Sequence, residues 1–236
     1  VVGFDGFVDL IVTPVGLRRA QGEDFTPIGT MTDFGQRIAA AAGMSTNIEL
    51  YPRLEKLGGN GPIMANALLA AGTDVTYIGA LGHPQVHPVF ADMASRARTV
   101  SLSAAAHTTA IEFADGKLML GTMRSLDEIT YARICETMGE DTFIAELAGA
   151  GLVALVNWTM IPYMTDIWAA LQQELCPGLT GPRRLMFFDL ADPEKRLVGD
   201  TARALEHLVR YHQHFDVILG LNEKEAHELC KVLGIA

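Results

Sequence analysis

Two apolar, β-branched stretches open the chain, Val1–Phe4 and Val8–Val12, separated by Asp5-Gly6. Such a run reaching a polar end predicts a buried strand. Val15–Gly29 is rich in Gly, Pro and charge and reads as a loop or an edge excursion. Ala-rich helical spacing over Thr32–Ala42 predicts a helix, with Thr32 or Asp33 as its cap and Gly43 as its stop. Ile48–Tyr51 reads as a short strand. The turn Gly58-Gly59-Asn60-Gly61-Pro62 places a proline to open a helix over Ile63–Ala71, which Gly72-Thr73-Asp74 ends. Val75–Ala80 is the next buried strand, followed by a helix over Pro88–Ala97 and a strand over Thr99–Leu102. Thr108–Phe113 and Lys117–Gly121 flank Ala114-Asp115-Gly116 as a β-hairpin.

Asp127–Leu147 carries helical periodicity. After it, strands over Gly151–Val156, Arg184–Phe188 and Val217–Leu219 alternate with helices over Ile161–Glu174, Asp200–His214 and Glu223–Leu233. That alternation predicts βαβ units: a mainly parallel sheet flanked by helices, of α/β class. The hairpin fits such a sheet badly and suggests a separate small β element. No repeats or low-complexity tracts interrupt the pattern.

With 236 residues and 49% hydrophobic content, the chain can bury the core of one α/β domain. Its formal net charge of -10 and the lack of a Lys/Arg run argue against nucleic acid or an anionic membrane as partner. Local positive potential for a small anion is still allowed. Cys135, Cys176 and Cys230 are few, odd in number and widely spaced, so neither a disulfide framework nor a zinc site is expected. A reducing cytoplasm is the simplest setting. No apolar stretch is long enough for a membrane span.

Several predicted strands finish on a polar residue: Asp5, Asn157, Asp189, and Asn222 with Glu225. In open parallel sheets ligands bind beyond the carboxyl ends of the strands, so these residues are candidates for one site. Each alone is equally a turn-former or helix cap; their repetition favours a site. The glycine turn at 58–61 would bring backbone close to a ligand and leave N–H groups free at a helix start.

Gly58 to Gly82 is similar to the first signature of the PfkB/ribokinase family: a Gly-Gly-Asn turn, an alanine-rich helix, a Gly-containing stop and a strand ending in Ile-Gly. Val2-Gly3-Phe4-Asp5-Gly6-Phe7-Val8-Asp9 resembles that family's opening strand with two acidic positions. The Thr109–Leu120 hairpin looks like part of its β-lid, Phe187–Asp192 like its later strand end, and Asn222-Glu223-Lys224-Glu225 like its Asn-x-x-Glu motif. The resemblance implies one ribokinase-like domain with β-lid segments near 9–31 and 106–124. It further implies ATP-dependent phosphorylation of a hydroxyl on a sugar or small polyol, with ATP as co-substrate and Mg²⁺ as cofactor.

By the same resemblance Asp9 hydrogen-bonds sugar hydroxyls and Gly58, Gly59 and Asn60 form the facing wall, with Asn157 a further substrate contact. Asp189, Asn222 and Glu225 fall near the phosphates, Glu225 organising Mg²⁺ largely through water. A homodimer through the lid is an assembly the family allows. Two departures stand out. Ile63 occupies the place where the family carries a second sugar-contacting Asn, and Gly79-Ala80-Leu81-Gly82-His83 replaces a Gly-x-Asp continuation. More important, the late Gly-Ala-Gly-Asp turn that supplies the catalytic base has no counterpart. No catalytic residue is therefore assigned. The chain is expected to be incomplete at its C-terminal side, and inactive as it stands. The alternative is a non-catalytic sugar-binding or regulatory protein on the same scaffold.

Other motifs read as structural. Gly149-Ala150-Gly151-Leu152-Val153-Ala154 fits GxGxxA but enters a strand, the reverse of the dinucleotide context. His83 and His87 have metal-like spacing, but the prolines around them oppose the helix that would align both rings. His207, His212 and His214 read as surface histidines. Trp158 and Trp168 are read as core or pocket wall.

Overall fold

The first apolar run forms β1 (Val2–Phe4), wholly buried, and becomes a central strand of a parallel sheet. In the computed structural model, which describes residues 1–235, the chain continues as β2 (Phe7–Arg18), β3 (Phe25–Pro27), α1 (Met31–Ala40) and β4 (Leu50–Gly58). Next come α2 (Asn60–Ala70), β5 (Thr76–Gly79), α3 (Ala91–Arg96), β6 (Arg98–Ser101) and a hairpin of β7 (Ala106–Phe113) and β8 (Gly116–Thr122). The remainder runs α4 (Tyr131–Met138), α5 (Glu140–Gly149), β9 (Leu152–Leu155) and α6 (Met164–Glu174). It finishes with β10 (Arg184–Asp189), α7 (Val198–Tyr211), β11 (Phe215–Gly220) and α8 (Glu223–Leu233).

These elements fall into two compact units. One combines Val1–Phe7, Gly58–Ala106 and the described chain from Met123 onward; the other combines Val8–Leu57 and His107–Thr122. The first unit holds a six-stranded sheet in the order β11-β10-β9-β1-β5-β6, every pairing parallel. The order reverses at β1: the chain builds outward through β5 and β6, then returns to place β9 on the other side. That reversal is a topological switch point, where a crevice opens beyond the strand ends.

Burial explains the strand sequences. Ile78, Val153, Leu155, Met186 and Phe188 join Phe4 in one apolar core with residues of the helices. Trp168 meets Phe188 edge-on at 4.8 Å between ring centres, and Tyr211 follows at 5.4 Å from Phe188. Each such fully buried aromatic contributes roughly 1.5–3 kcal/mol. Trp158 and Trp168 are both core residues with no exposure. The Trp158 indole N–H donates to the Thr165 hydroxyl at 2.8 Å, and the Arg196 guanidinium stacks 4.4 Å from its ring centre.

The second unit is a sheet in the order β3-β2-β7-β8, with β4 also pairing β2. Its core is small: Val12, Ile28, Phe34 and Ile111, with Phe34 edge-on to Phe113 at 5.3 Å. The stretch expected as a loop or excursion, Val15–Gly29, carries β2 on to Arg18 and adds β3. Helix α1 is capped by Thr30, whose Oγ1 accepts from the Asp33 N–H at 3.0 Å, rather than by Thr32 or Asp33. The strand expected at Ile48–Tyr51 begins later and runs to Gly58. In the first unit, the helical stretch 127–147 is broken at Gly139, whose φ of 82° separates α4 from α5. Among the described residues no helix is long and apolar enough to cross a membrane.

Candidate functional site

The switch point brings Asp5, just beyond β1, to Asn157, just beyond β9. Asp5 is fully buried. Its Oδ2 accepts the Asn60 backbone N–H at 2.9 Å and the Asn157 Nδ2 at 2.6 Å. Its Oδ1 accepts the Gly61 N–H at 2.8 Å. The first N–H groups of a helix have no partner within the helix. At α2 the residue before the helix, Gly59, offers no side chain, so a carboxylate 55 residues earlier satisfies two of them.

This close approach dictates the glycines. Gly59 has φ 93°, and a Cβ there would lie 2.9 Å from Asp5 Oδ2. A Cβ on Gly61 would lie 2.6 Å from Asp5 Oδ1 and 2.4 Å from the Tyr77 hydroxyl. Tyr77 and Ile78 alternate on β5: Ile78 enters the core, whereas Tyr77 donates its hydroxyl to the Asp5 carbonyl. Helix α2 therefore starts at Asn60, before the proline expected to open it, because Asp5 already supplies the cap.

Asn60 links two carboxyls. Its backbone N–H serves Asp5, and its Nδ2 donates to Asp189 Oδ2 at 2.5 Å, at the end of β10. Burial raises the Asp5 carboxyl to about 6; hydrogen bonds from Asn157, Gly61 and Asn60 oppose that rise, and the nearby Asp189 charge adds to it. Asp189 is also raised, first by its own burial, against the hydrogen bond from Asn60. Asn157 sits at φ 65° and is 4% exposed, with its Oδ1 buried and unpartnered. A left-handed asparagine holding an unmet acceptor is uncommon and marks a place where a ligand donor or a water is wanted.

The second polar cluster lies beyond β10 and β11. Asn222 caps α8 by accepting the Glu225 N–H at 3.0 Å, and Glu225 Oε2 accepts the Asn222 N–H at 2.9 Å. This reciprocal pair is a capping box. Glu225 Oε1 also accepts the Asp192 N–H at 3.0 Å, and the residue is 5% exposed. Ala191 and Asp192 adopt left-handed φ of 58° and 57°, which turn that N–H toward the glutamate. Among the described residues no group of three His, Cys, Asp or Glu could enclose a metal ion. Each Glu225 oxygen accepts one N–H bond, which leaves it a further lone pair able to accept from a water of a strongly hydrated ion such as magnesium.

Asp9 lies in the second unit, on β2. Its half-buried carboxyl is raised first by burial, opposed by the Thr108 hydroxyl and by the Lys56 and Lys117 charges. His87 accepts the Val89 N–H through Nδ1 at 3.3 Å and so caps the short helical turn at Pro88–Phe90. Asn60, Asn157 and Asp189 therefore converge around Asp5, while Asn222 and Glu225 share a box of their own joined through Asp192. Asp5 is one of the strand-end candidates that the sequence offers, but the resemblance gives the sugar contact to Asp9 and leaves Asp5 without an assigned role.

Over residues 1–236 the chain matches the sequence model of the prokaryotic ketohexokinase family. A ketohexokinase from Haloferax volcanii is 27% identical over 235 residues, covering 99% of this chain and 62% of that protein. The solved structure of a carbohydrate kinase from Agrobacterium tumefaciens superposes with a TM-score of 0.60 at 17% identity, over 98% of this chain and 64% of the other. The solved structure of a putative ribokinase II from E. coli superposes with a TM-score of 0.56 at 8% identity, over 99% of this chain and 68% of the other. At these identities the likeness is one of fold, and the parallel α/β architecture is ribokinase-like. The chain spans a little under two thirds of the length of the Haloferax volcanii and Agrobacterium tumefaciens relatives.

Proposed function

The chain belongs to the prokaryotic ketohexokinase family, and on that premise we propose that its full-length protein transfers a phosphoryl group from ATP to a hydroxyl of a ketohexose. The observation that carries the reading is the unmet Asn157 Oδ1 beside the Asp5–Asn60–Asp189 network at the switch point. A sugar hydroxyl is suited to it, since one hydroxyl can donate to Asn157 and accept from a backbone N–H. Gly58, Gly59 and Asn60 present backbone to the sugar, and the family resemblance assigns Asp9 to further hydroxyls. Ile63 is 57% exposed where an amide would contact sugar, so the choice among ketohexoses rests on other residues.

Asp189, Asn222 and Glu225 are assigned to the phosphate side. Magnesium, when bound, neutralises charge on the phosphate oxygens; Glu225 would hold one of its waters. The transfer forms a bond between the sugar oxygen and the γ-phosphorus and breaks the bond to ADP, with the hydroxyl proton passing to a base. No residue of this chain is assigned as that base. The free thiols Cys135, Cys176 and Cys230 suit the reducing cytoplasm in which such a kinase would work.

The test is ADP release by the full-length protein with MgATP and a panel of ketohexoses, aldohexoses and nucleosides. ADP formation dependent on a ketohexose is expected. Saturable sugar binding with no ADP would favour the non-catalytic scaffold, and turnover confined to nucleosides would overturn the substrate class.

A further inference from the structure

We infer that Asp5 is a positioning residue: its ionised carboxylate holds the Asn60–Gly61 turn and the Asn157 side chain in the arrangement that receives the substrate. This rests on the ketohexose reading above for the identity of the substrate. It does not rest on that reading for the geometry.

Full burial means Asp5 acts only through its neighbours. Each neighbour it holds is a donor: the Asn60 N–H, the Gly61 N–H and the Asn157 Nδ2. Three donors on two oxygens are met by a carboxylate, which accepts on both. A proton on either oxygen turns an acceptor into a donor facing a donor. The contact at Asn157 has a further consequence. Because Nδ2 points at Asp5, Oδ1 is the atom left unpartnered, so Asp5 sets which end of the amide is available. The Gly61 bond closes the space in which that glycine's Cβ would stand, so the turn fits only around this carboxylate.

The charged surroundings are simple. Tyr77 on β5 and Asp189 on β10 are the ionisable groups acting on Asp5, and α2 (Asn60–Ala70) carries no ionisable side chain. No lysine, arginine or histidine is among the groups that set its proton affinity. With the carboxyl raised to about 6, the proton would enter just below neutral pH. Such a carboxyl stabilises the fold most when protonated and loses that contribution as pH rises through about 6. Positioning has the opposite sign, being complete above that pH and lost below it. A purely structural aspartate would not separate the two.

The experiment follows the Asn60 and Gly61 amide signals by NMR in the full-length protein from pH 7.5 to 5, and measures calorimetric affinity for D-fructose and other ketohexoses over that range. Wild type is compared with Asp5→Asn. Both amides are expected to titrate with a midpoint near 6 in wild type and to stay flat in Asp5→Asn. Sugar affinity is expected to fall roughly tenfold across the wild-type titration. In Asp5→Asn, sugar KM at pH 7.5 rises about tenfold or more, kcat changes less, and the KM for ATP stays near wild type.

If the amides neither titrate before the wild type unfolds in acid nor shift in Asp5→Asn, Asp5 does not hold the turn and the inference fails. If they titrate while sugar affinity stays level, its role toward substrate fails. If they titrate and no ketohexose binds at any pH, the ketohexose reading is what fails, and the substrate role falls with it. The wild-type titration alone decides these outcomes if Asp5→Asn does not fold.

Discussion

Two strand-to-helix junctions of the larger unit, Gly58–Gly61 ahead of α2 and Asn222–Glu225 ahead of α8, face the same chemistry with opposite means. Both must satisfy N–H groups that a helix start leaves open: α2 uses a carboxylate, and α8 uses the Asn222 amide oxygen together with the Glu225 carboxylate. At α8 the acceptors are local: Asn222 and Glu225 serve each other three residues apart. At α2 the acceptor is Asp5, just beyond β1 and buried, with no countercharge acting on it among the described residues. A local box stabilises its helix and needs nothing from the sheet. A long-range carboxylate ties the helix to β1, so any disturbance of the turn reaches the sheet end and Asn157.

The sharpest way to break this comparison is a methyl group at the second residue of each helix. Gly61→Ala puts a Cβ within 2.6 Å of Asp5 Oδ1 and 2.4 Å of the Tyr77 hydroxyl. Neither neighbour is the free end of a flexible chain, so a loss of about 3 kcal/mol or more is expected. The corresponding residue of α8, Lys224, is exposed, and Lys224→Ala should leave the unfolding midpoint nearly unchanged. Urea denaturation of both variants in the full-length protein measures the contrast. Equal losses would mean that the Asp5 junction is no tighter than the other.

A smaller effect distinguishes the two by pH. The Asp5 carboxyl rises from 3.8 unfolded to about 6 folded, a difference of order 2–3 kcal/mol. The sign is unambiguous: the folded state binds the proton more tightly, so the contribution is present below pH 4 and is lost as pH rises through 6. Wild type should therefore lose stability relative to Asp5→Asn between pH 4.5 and 7.5. A constant difference between the two proteins would show that burial does not raise this carboxyl.

The same contrast explains what could be read in the sequence. The alternation after Leu147, the hairpin around Asp115-Gly116 and the Asn222–Glu225 turn are visible because their signals are local: period, turn residues and three-residue spacing. Gly139 was hidden because helical periodicity continues on both sides of it, although its φ of 82° divides the segment. The Pro- and Gly-containing stretch after Val12 masked the extension of β2, since strand pairing there comes from β3 and β4. Asp5 and Asp9 could not be ranked from sequence at all. Which acid meets the glycine turn depends on the sheet order, and only that order puts Asp5 beside both α2 and β9.

Removing the local cap should cost less than disturbing the long-range one. Asn222→Ala deletes the acceptor of the Glu225 N–H and should destabilise by about 1 kcal/mol, read as a lower urea midpoint. Activity should fall moderately as the α8 junction loosens, with sugar KM almost unchanged, because Asn222 has no bond to the Asp5 network. A rise in sugar KM matching that of Asp5→Asn would show that the two junctions form one unit.

The change most informative about metal is Glu225→Gln. Glutamine keeps one acceptor oxygen, but its NH2 must face either the Asp192 or the Asn222 N–H, so a loss of about 1 kcal/mol is expected. Kinetics measured where the variant is fully folded then report the charge. Each Glu225 oxygen accepts one N–H group and keeps a further lone pair, and the assigned role is to hold a water of the magnesium ion. The magnesium concentration for half-maximal rate should then rise severalfold, while sugar affinity at fixed pH stays level. An unchanged magnesium requirement would leave Glu225 with only its structural task of closing the cap and pinning Asp192. Both junctions would then be structural at their helix ends, and only the one built around Asp5 would reach the substrate.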